Sequence, residues 1–193
     1  LGCFNIYQIK VFYPLFDRTN ITRWVNNGHL IRLRGGYYTF SEYKQKAGYE
    51  FYFANKIYSP SYISLYSALS FYELIPENIV QITSVSSLKT TEFKNPFGTF
   101  SYRKVKDNLM FGYIPKKIIG GKTVLVASME KALLDLLYLY PFYNTEQELL
   151  SLRLDEDILQ ESLNKNDFIS LCDKFNSKAL SLRVKKLLKA YDL

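Results

Sequence analysis

Histidine occurs once in this chain, at His29, and a single imidazole excludes a metal site built on several histidines. Cysteine occurs twice, as Cys3 and Cys172 near opposite ends, which excludes a disulfide framework and leads us to expect reduced thiols and a cytoplasmic location. Tryptophan is also single. Long apolar runs are missing as well. The nearly charge-free stretch SPSYISLYSALSFYELIP at 59–76 is bracketed by Pro60 and Pro76, leaving too few apolar residues for the roughly 20 that a membrane span needs. It is expected to be a core helix, with no membrane partner. No basic segment followed by an apolar run and a small-residue cleavage site opens the chain, so no secretory leader is expected. The chain does not open with Met either, and residues upstream of Leu1 are expected.

What is present is aromatic and basic. Seventeen Tyr and fourteen Phe accompany 48% hydrophobic and 22% charged residues, a globular rather than a disordered composition. A chain of 193 residues suits one large domain or two small ones. The formal charge is +7, compatible with an anionic partner such as nucleic acid. Most of the excess is local: residues 1–46 hold seven basic residues against Asp17 and Glu42, a net of +5.

Hydrophobic periodicity predicts helices at 6–13, 18–27, 50–58, 61–72, 129–140 and several within 145–191. Strand patterns fall at 30–40, 79–85, 99–106, 109–114 and 122–127. The fold class expected is α+β: a helix-helix-hairpin unit, a mixed α/β block and a helical C-terminal tail. The polar stretch SEYKQKA at 41–47 separates a first domain, 1–46, from a second, 47–193.

In FDRTNITRWVNNG, Asp17 is placed to cap a helix whose apolar residues Ile21, Trp24 and Val25 follow the i, i+3, i+4 spacing of a packed face, and Gly28 to end it. The opposite face carries Thr19, Arg23 and Asn26. Arg and Asn present the forked groups that match guanine and adenine edges in the major groove, so these three are the candidate base-reading residues.

The next run, HLIRLRGGYYTF, alternates about Gly35-Gly36. Pairing outward from that turn sets Arg34 opposite Tyr37, Leu33 opposite Tyr38, Arg32 opposite Thr39 and Ile31 opposite Phe40. One face is then Ile31, Leu33, Tyr38 and Phe40; the other is Arg32, Arg34, Tyr37 and Thr39. Together these elements predict a winged helix-turn-helix whose first helix is incomplete. Arg18, Arg32, Arg34 and Lys44 are the candidate phosphate contacts. A generic α/β fragment with solvated arginines fits the same features.

Signs of catalysis are few. Neither Ser64 nor Ser67 lies in a G-x-S-x-G elbow. Asp107, Glu130 and Asp135 are the carboxylates that a metal-dependent nuclease would use, but Glu130 is better read as a first-turn helix residue after Ser128. GGKT at 120–123 lacks the first glycine of a phosphate loop and is read as a turn. No catalytic, cofactor-binding or metal-binding residue is assigned. The basic tail residues Lys178, Arg183, Lys185, Lys186 and Lys189 suit an anionic partner or a solvated helix face.

Four strings in order, NITRWVNNGHLIRLRGGYYTF, ANKIYSPSYISLYSALSFYELIPE, ITSVSSLKT with FGTFSYRKVK, and ASMEKALLDLLYL, resemble the AbiEi-type antitoxins, the transcription regulators of type IV toxin-antitoxin systems. They reach from about residue 17 to about 140. The resemblance implies a non-enzymatic, bacterial, cytoplasmic repressor. Its winged helix would bind double-stranded DNA of its own promoter, with Thr19, Arg23, Asn26, Arg32 and Arg34 at the DNA. Its second domain would counter a nucleotidyltransferase-like toxin, without necessarily forming a stable complex. The alternatives are a protein-interaction module that no longer binds DNA, or a metal-dependent nuclease.

Overall fold

Gly35 and Gly36 both adopt positive φ, 54° and 85°, a conformation that costs glycine nothing, and the chain reverses there into a hairpin of β2 (Leu30–Arg34) and β3 (Tyr37–Phe40). The computed structural model describes residues 2–76, 81–118 and 120–193. A two-residue strand β1 (Phe4–Asn5) lies on the other edge of β3, giving an antiparallel sheet in the order β1-β3-β2. Helices α1 (Ile6–Phe12) and α2 (Thr19–Asn26) connect β1 to β2. Phe4, Ile21, Leu30 and Tyr38 are buried together, with Ile9, Phe16 and Val25 packed against them.

The hairpin departs from the expected register. Arg34 does face Tyr37, but Leu33 is an extra residue, so Arg32 pairs with Tyr38, Ile31 with Thr39 and Leu30 with Phe40. A β-bulge of this kind breaks simple alternation and re-aims side chains. Burial on the central strand β3 also departs from expectation: Thr39 is fully buried and donates its hydroxyl to the Gly2 carbonyl at 2.6 Å, whereas Phe40 is 45% exposed. Along the unbroken β3, Tyr38 and Phe40 still share one face and Thr39 takes the other, so the shift falls on β2, where Ile31 moves opposite Thr39 and Arg32 opposite Tyr38.

After a 3₁₀ turn at Ser41–Gln45, helix α3 (Tyr49–Ile57) leads into a second sheet. Its strands are β4 (Ser61–Ile63), β5 (Gln81–Ser86), β6 (Thr91–Asn95), β7 (Gly98–Lys104), β8 (Tyr113–Lys117) and β9 (Thr123–Ala127), ordered β6-β7-β5-β4-β9-β8. The sheet is mixed: β5 with β7 and β4 with β9 run parallel, the other neighbours antiparallel.

The single helix expected over 61–72 is instead β4 followed by α4 (Leu65–Phe71). Ser61, Tyr62 and Ile63 are buried and pair with Ser86, Val85 and Ser84, while Ile63 also registers with Val126. A central strand position between two partners outweighs helical spacing here. Ser67 and Thr83 then tie α4 to β5: the Thr83 N–H donates to the Ser67 hydroxyl at 2.8 Å and the Ser67 N–H to the Thr83 hydroxyl at 3.1 Å. Ile63, Ala68 and Leu69 are fully buried as expected and Tyr66 half-buried, although Ile79, the expected start of the next strand, lies outside the described residues.

Two further segments differ from expectation. The strand expected at 109–114 starts later, as β8: Leu109 ends a 3₁₀ turn, Asp107–Leu109, and only Tyr113 and Ile114 of the expected run lie in β8; the polar edge strand β6 was not anticipated. Helix α5 (Met129–Leu139) is buried at every residue from Met129 to Leu137, with the Ser128 hydroxyl accepting from the Lys131 N–H at its start. The tail is helical as expected: α6 (Glu146–Leu150), α7 (Glu156–Ser162), α8 (Lys165–Asp173) and α9 (Lys178–Ala190), with α8 and α9 on α5. The chain is thus α+β, with nine α-helices and two sheets among the described residues. No helix among these residues is long and apolar enough to cross a membrane.

Core packing crosses the expected boundary after residue 46, because Cys3 and Leu33 belong to the large central cluster. Both cysteines are free and buried; burial pushes the Cys3 thiol up to about 12.

Candidate nucleic-acid interface

Helix α2 is bounded at both ends by local chemistry. The Asp17 carboxylate accepts the Thr19 N–H at 2.8 Å and the Thr19 hydroxyl at 2.6 Å, and these bonds hold its pKa below the ordinary value. At the other end Gly28, with φ 75°, closes a Schellman turn: its N–H donates to the Val25 carbonyl at 3.0 Å and the His29 N–H to the Trp24 carbonyl at 2.9 Å. Ile21 enters the small core, Val25 packs beside it, and Trp24 remains 38% exposed with its ring 5.7 Å from that of Phe16.

The three candidate base-reading residues, Thr19, Arg23 and Asn26, are all exposed. Thr19 is committed in part to Asp17, leaving Arg23 and Asn26 with the freer polar groups. Arg18 is exposed at the start of α2, Arg32 on β2 and Lys44 in the 3₁₀ turn. Among the described residues, none of Arg18, Arg23, Arg32 and Lys44 forms an ion pair with a carboxylate.

Arg34 is placed differently from the other candidate phosphate contacts. Its guanidinium carbon lies 4.5 Å from the centre of the Tyr58 ring and 4.4 Å from that of Phe93, so it stacks against the central sheet. Its neighbour Leu33 is 4% exposed and belongs to the central core.

Sequence reasoning missed an exposed apolar surface on α1 and the turn after it. Tyr7, Val11, Phe12 and Tyr13 are 69–77% exposed, Leu15 is 99% exposed, and α1 buries no residue. A groove of about 510 Å³ runs between Phe12, Leu15, Phe16 and Asn20. The signal was present: IYQIKVFYPLF has apolar residues at too many positions for one helix face to bury.

Of the residues weighed for catalysis, Asp107, Glu130 and Asp135 do not gather into a metal site among the described residues. Asp135 is fully buried and paired with Lys131, and it accepts the Tyr62 hydroxyl at 2.9 Å and the Ser64 hydroxyl at 2.8 Å. The Lys131 ammonium also faces the rings of Phe175 and Phe111 at 4.5 and 4.7 Å. Burial pushes the Asp135 carboxyl up and the Lys131 ammonium down, and their mutual attraction opposes both shifts. Glu130 accepts the Asn164 N–H at 3.0 Å, and Asp107 sits exposed in its 3₁₀ turn. No group of three His, Cys, Asp or Glu side chains suited to a metal ion occurs among the described residues. Gly120 and Gly121 form the turn from β8 to β9, as expected, with φ 88° and 73°.

In α9, Arg183 is buried and the Lys186 ammonium donates to the Asn144 carbonyl at 2.8 Å, leaving Lys178, Lys185 and Lys189 toward solvent. Compared with known proteins, the sequence matches no family model and no curated protein.

Proposed function

We propose that the chain is a DNA-binding transcription regulator whose first 46 residues act as a winged helix-turn-helix. The observation that carries this reading is the outward face of α2, where Arg23 and Asn26 are exposed beside the exposed Arg18 and Arg32, and none of these arginines is in an ion pair among the described residues. The order strand, helix, tight turn, helix, hairpin supports it. Arg23 and Asn26, with Thr19 beside them, would read base edges; Arg18, Arg32 and Lys44 would neutralise phosphates.

Within this reading the protein is an antitoxin of the AbiEi type, repressing its own promoter and countering a nucleotidyltransferase-like toxin. Its support is that two strings carrying the resemblance meet in one core: Tyr62 and Ser64 bond to Asp135 of α5. The test is a gel shift with duplex DNA from upstream of the gene, titrated with salt. Salt-dependent binding that outcompetes unrelated duplex is expected, and its absence would refute the reading.

A second reading, a protein-interaction module, is favoured by the exposed apolar surface of α1 and the turn at Pro14–Phe16. It predicts no shift with any duplex.

A further inference from the structure

The bulge at Leu33 divides the hairpin between two cores. Leu30 and Tyr38 pack with Ile21 in the small cluster, whereas Leu33 enters the large one and its carbonyl accepts the Asn95 amide at 3.4 Å. The next residue, Arg34, lays its guanidinium over both Tyr58, at the end of α3, and Phe93, on the edge strand β6. These rings are themselves fixed. Tyr58 donates to the Lys89 carbonyl at 2.8 Å, and Phe93 stacks on Phe100 and Tyr102 at 5.7 and 5.4 Å with interplanar angles of 13° and 15°. Tyr102 in turn donates to the Ala54 carbonyl at 2.8 Å. No carboxylate pairs with Arg34 among the described residues, so the ring faces are the partners of its charge.

We propose that Arg34 is a positioning residue rather than a phosphate contact: it clamps the hairpin onto the central sheet and so holds α2 and Arg32 in one fixed orientation toward DNA. The proposal rests on the DNA-binding reading for its functional consequence, but the clamp can be tested without DNA.

The chemistry separates the two roles. A phosphate contact needs only a cation, which lysine supplies as a point charge, and its loss lowers the salt slope of binding by about one unit. A clamp across two rings needs the planar guanidinium, which lysine lacks, and its loss leaves the phosphate count unchanged.

The experiment compares the full chain with Arg34→Lys, Arg34→Met and Phe93→Leu, reading affinity for the upstream duplex at several salt concentrations and amide hydrogen exchange across 30–40. The expected result is about tenfold weaker binding for all three variants at an unchanged salt slope, with faster exchange in the hairpin. Arg34→Met retains the apolar stem, and Phe93→Leu leaves Arg34 in place, so weakened binding in the latter cannot come from a lost charge. Wild-type affinity in Arg34→Lys, or a slope reduced in Arg34→Met together with normal binding by Phe93→Leu, overturns the proposal. If the unaltered chain binds no DNA, the DNA reading fails, and exchange alone decides the clamp: unchanged exchange in Arg34→Met refutes it.

Discussion

The two hydrophobic clusters of this protein are built to different standards. Among the described residues the N-terminal one buries Phe4, Ile21, Leu30 and Tyr38 together, and it leaves Arg18, Arg23 and Arg32 in solvent. The central one closes around α5 from Met129 to Leu137 and encloses an ion pair with no exposure at either partner. Removing charges from water costs several kcal/mol per ion unless pairing and hydrogen bonds compensate, roughly what Tyr62 and Ser64 help to supply. The small cluster asks little of its core and presents most of its polar side chains outward. Stability therefore resides chiefly in the central cluster, and the candidate binding chemistry in the smaller one.

The largest expected effect tests the central side of that contrast. Lys131→Met should cost about 3–5 kcal/mol by leaving the buried Asp135 carboxylate unpaired, while Lys131→Met with Asp135→Leu should be much less harmful, both read from urea unfolding midpoints. Equal losses in the single and double variants would mean that packing, not charge pairing, is the essential feature there.

Ile21→Ala removes a central side chain of the small cluster and should cost about 2–4 kcal/mol locally. Because the central core does not depend on it, faster hydrogen exchange confined to α2 and the hairpin is expected, with little shift of the main unfolding transition. A parallel shift of both would show that the clusters unfold as one.

Arg32→Ala touches neither core. It should leave the free energy of unfolding in urea within about 0.5 kcal/mol of the original and reduce the salt slope of DNA binding by about one unit. Unchanged binding would remove Arg32 from the interface.

The smallest effect is expected at Asp17. Its folded pKa is depressed, so its cap contributes stability above the ordinary carboxyl value of 3.8, and this contribution is lost as pH falls through the folded pKa. NMR titration should show the α2 amides shifting with a midpoint below that ordinary value, and Asp17→Ala should abolish the transition.

Much of this arrangement was legible in the chain. The spacing of Ile21, Trp24 and Val25, the Asp17 cap and the Gly28 terminus define α2 from contacts within a dozen residues. The α5 run MEKALLDLLYL reads as a core helix with a broad apolar face, although the burial of Glu130, Lys131 and Asp135 along with it does not follow from that pattern. Illegible features depend on distant partners. SYI became β4 because β5 and β9 flank it, and TEFKN became β6 only by pairing with β7. Of the candidate site, the exposure of Thr19, Arg23, Asn26, Arg18, Arg32 and Lys44 accords with the local reading of α2, the hairpin and the 3₁₀ turn.

Arg34 marks where that reading stops. Alternation along HLIRLRGGYYTF treats Arg32 and Arg34 as equivalent, since both stand two residues apart on one expected face. By itself the sequence determined α2, its caps and the Gly35-Gly36 reversal, because backbone preference and short-range hydrogen bonds suffice for them. Only the tertiary structure decided that one arginine faces solvent and the other stacks on Tyr58 and Phe93. A single inserted residue changes the pleat, and what lies beneath it comes from residues 24 and 59 positions farther along the chain.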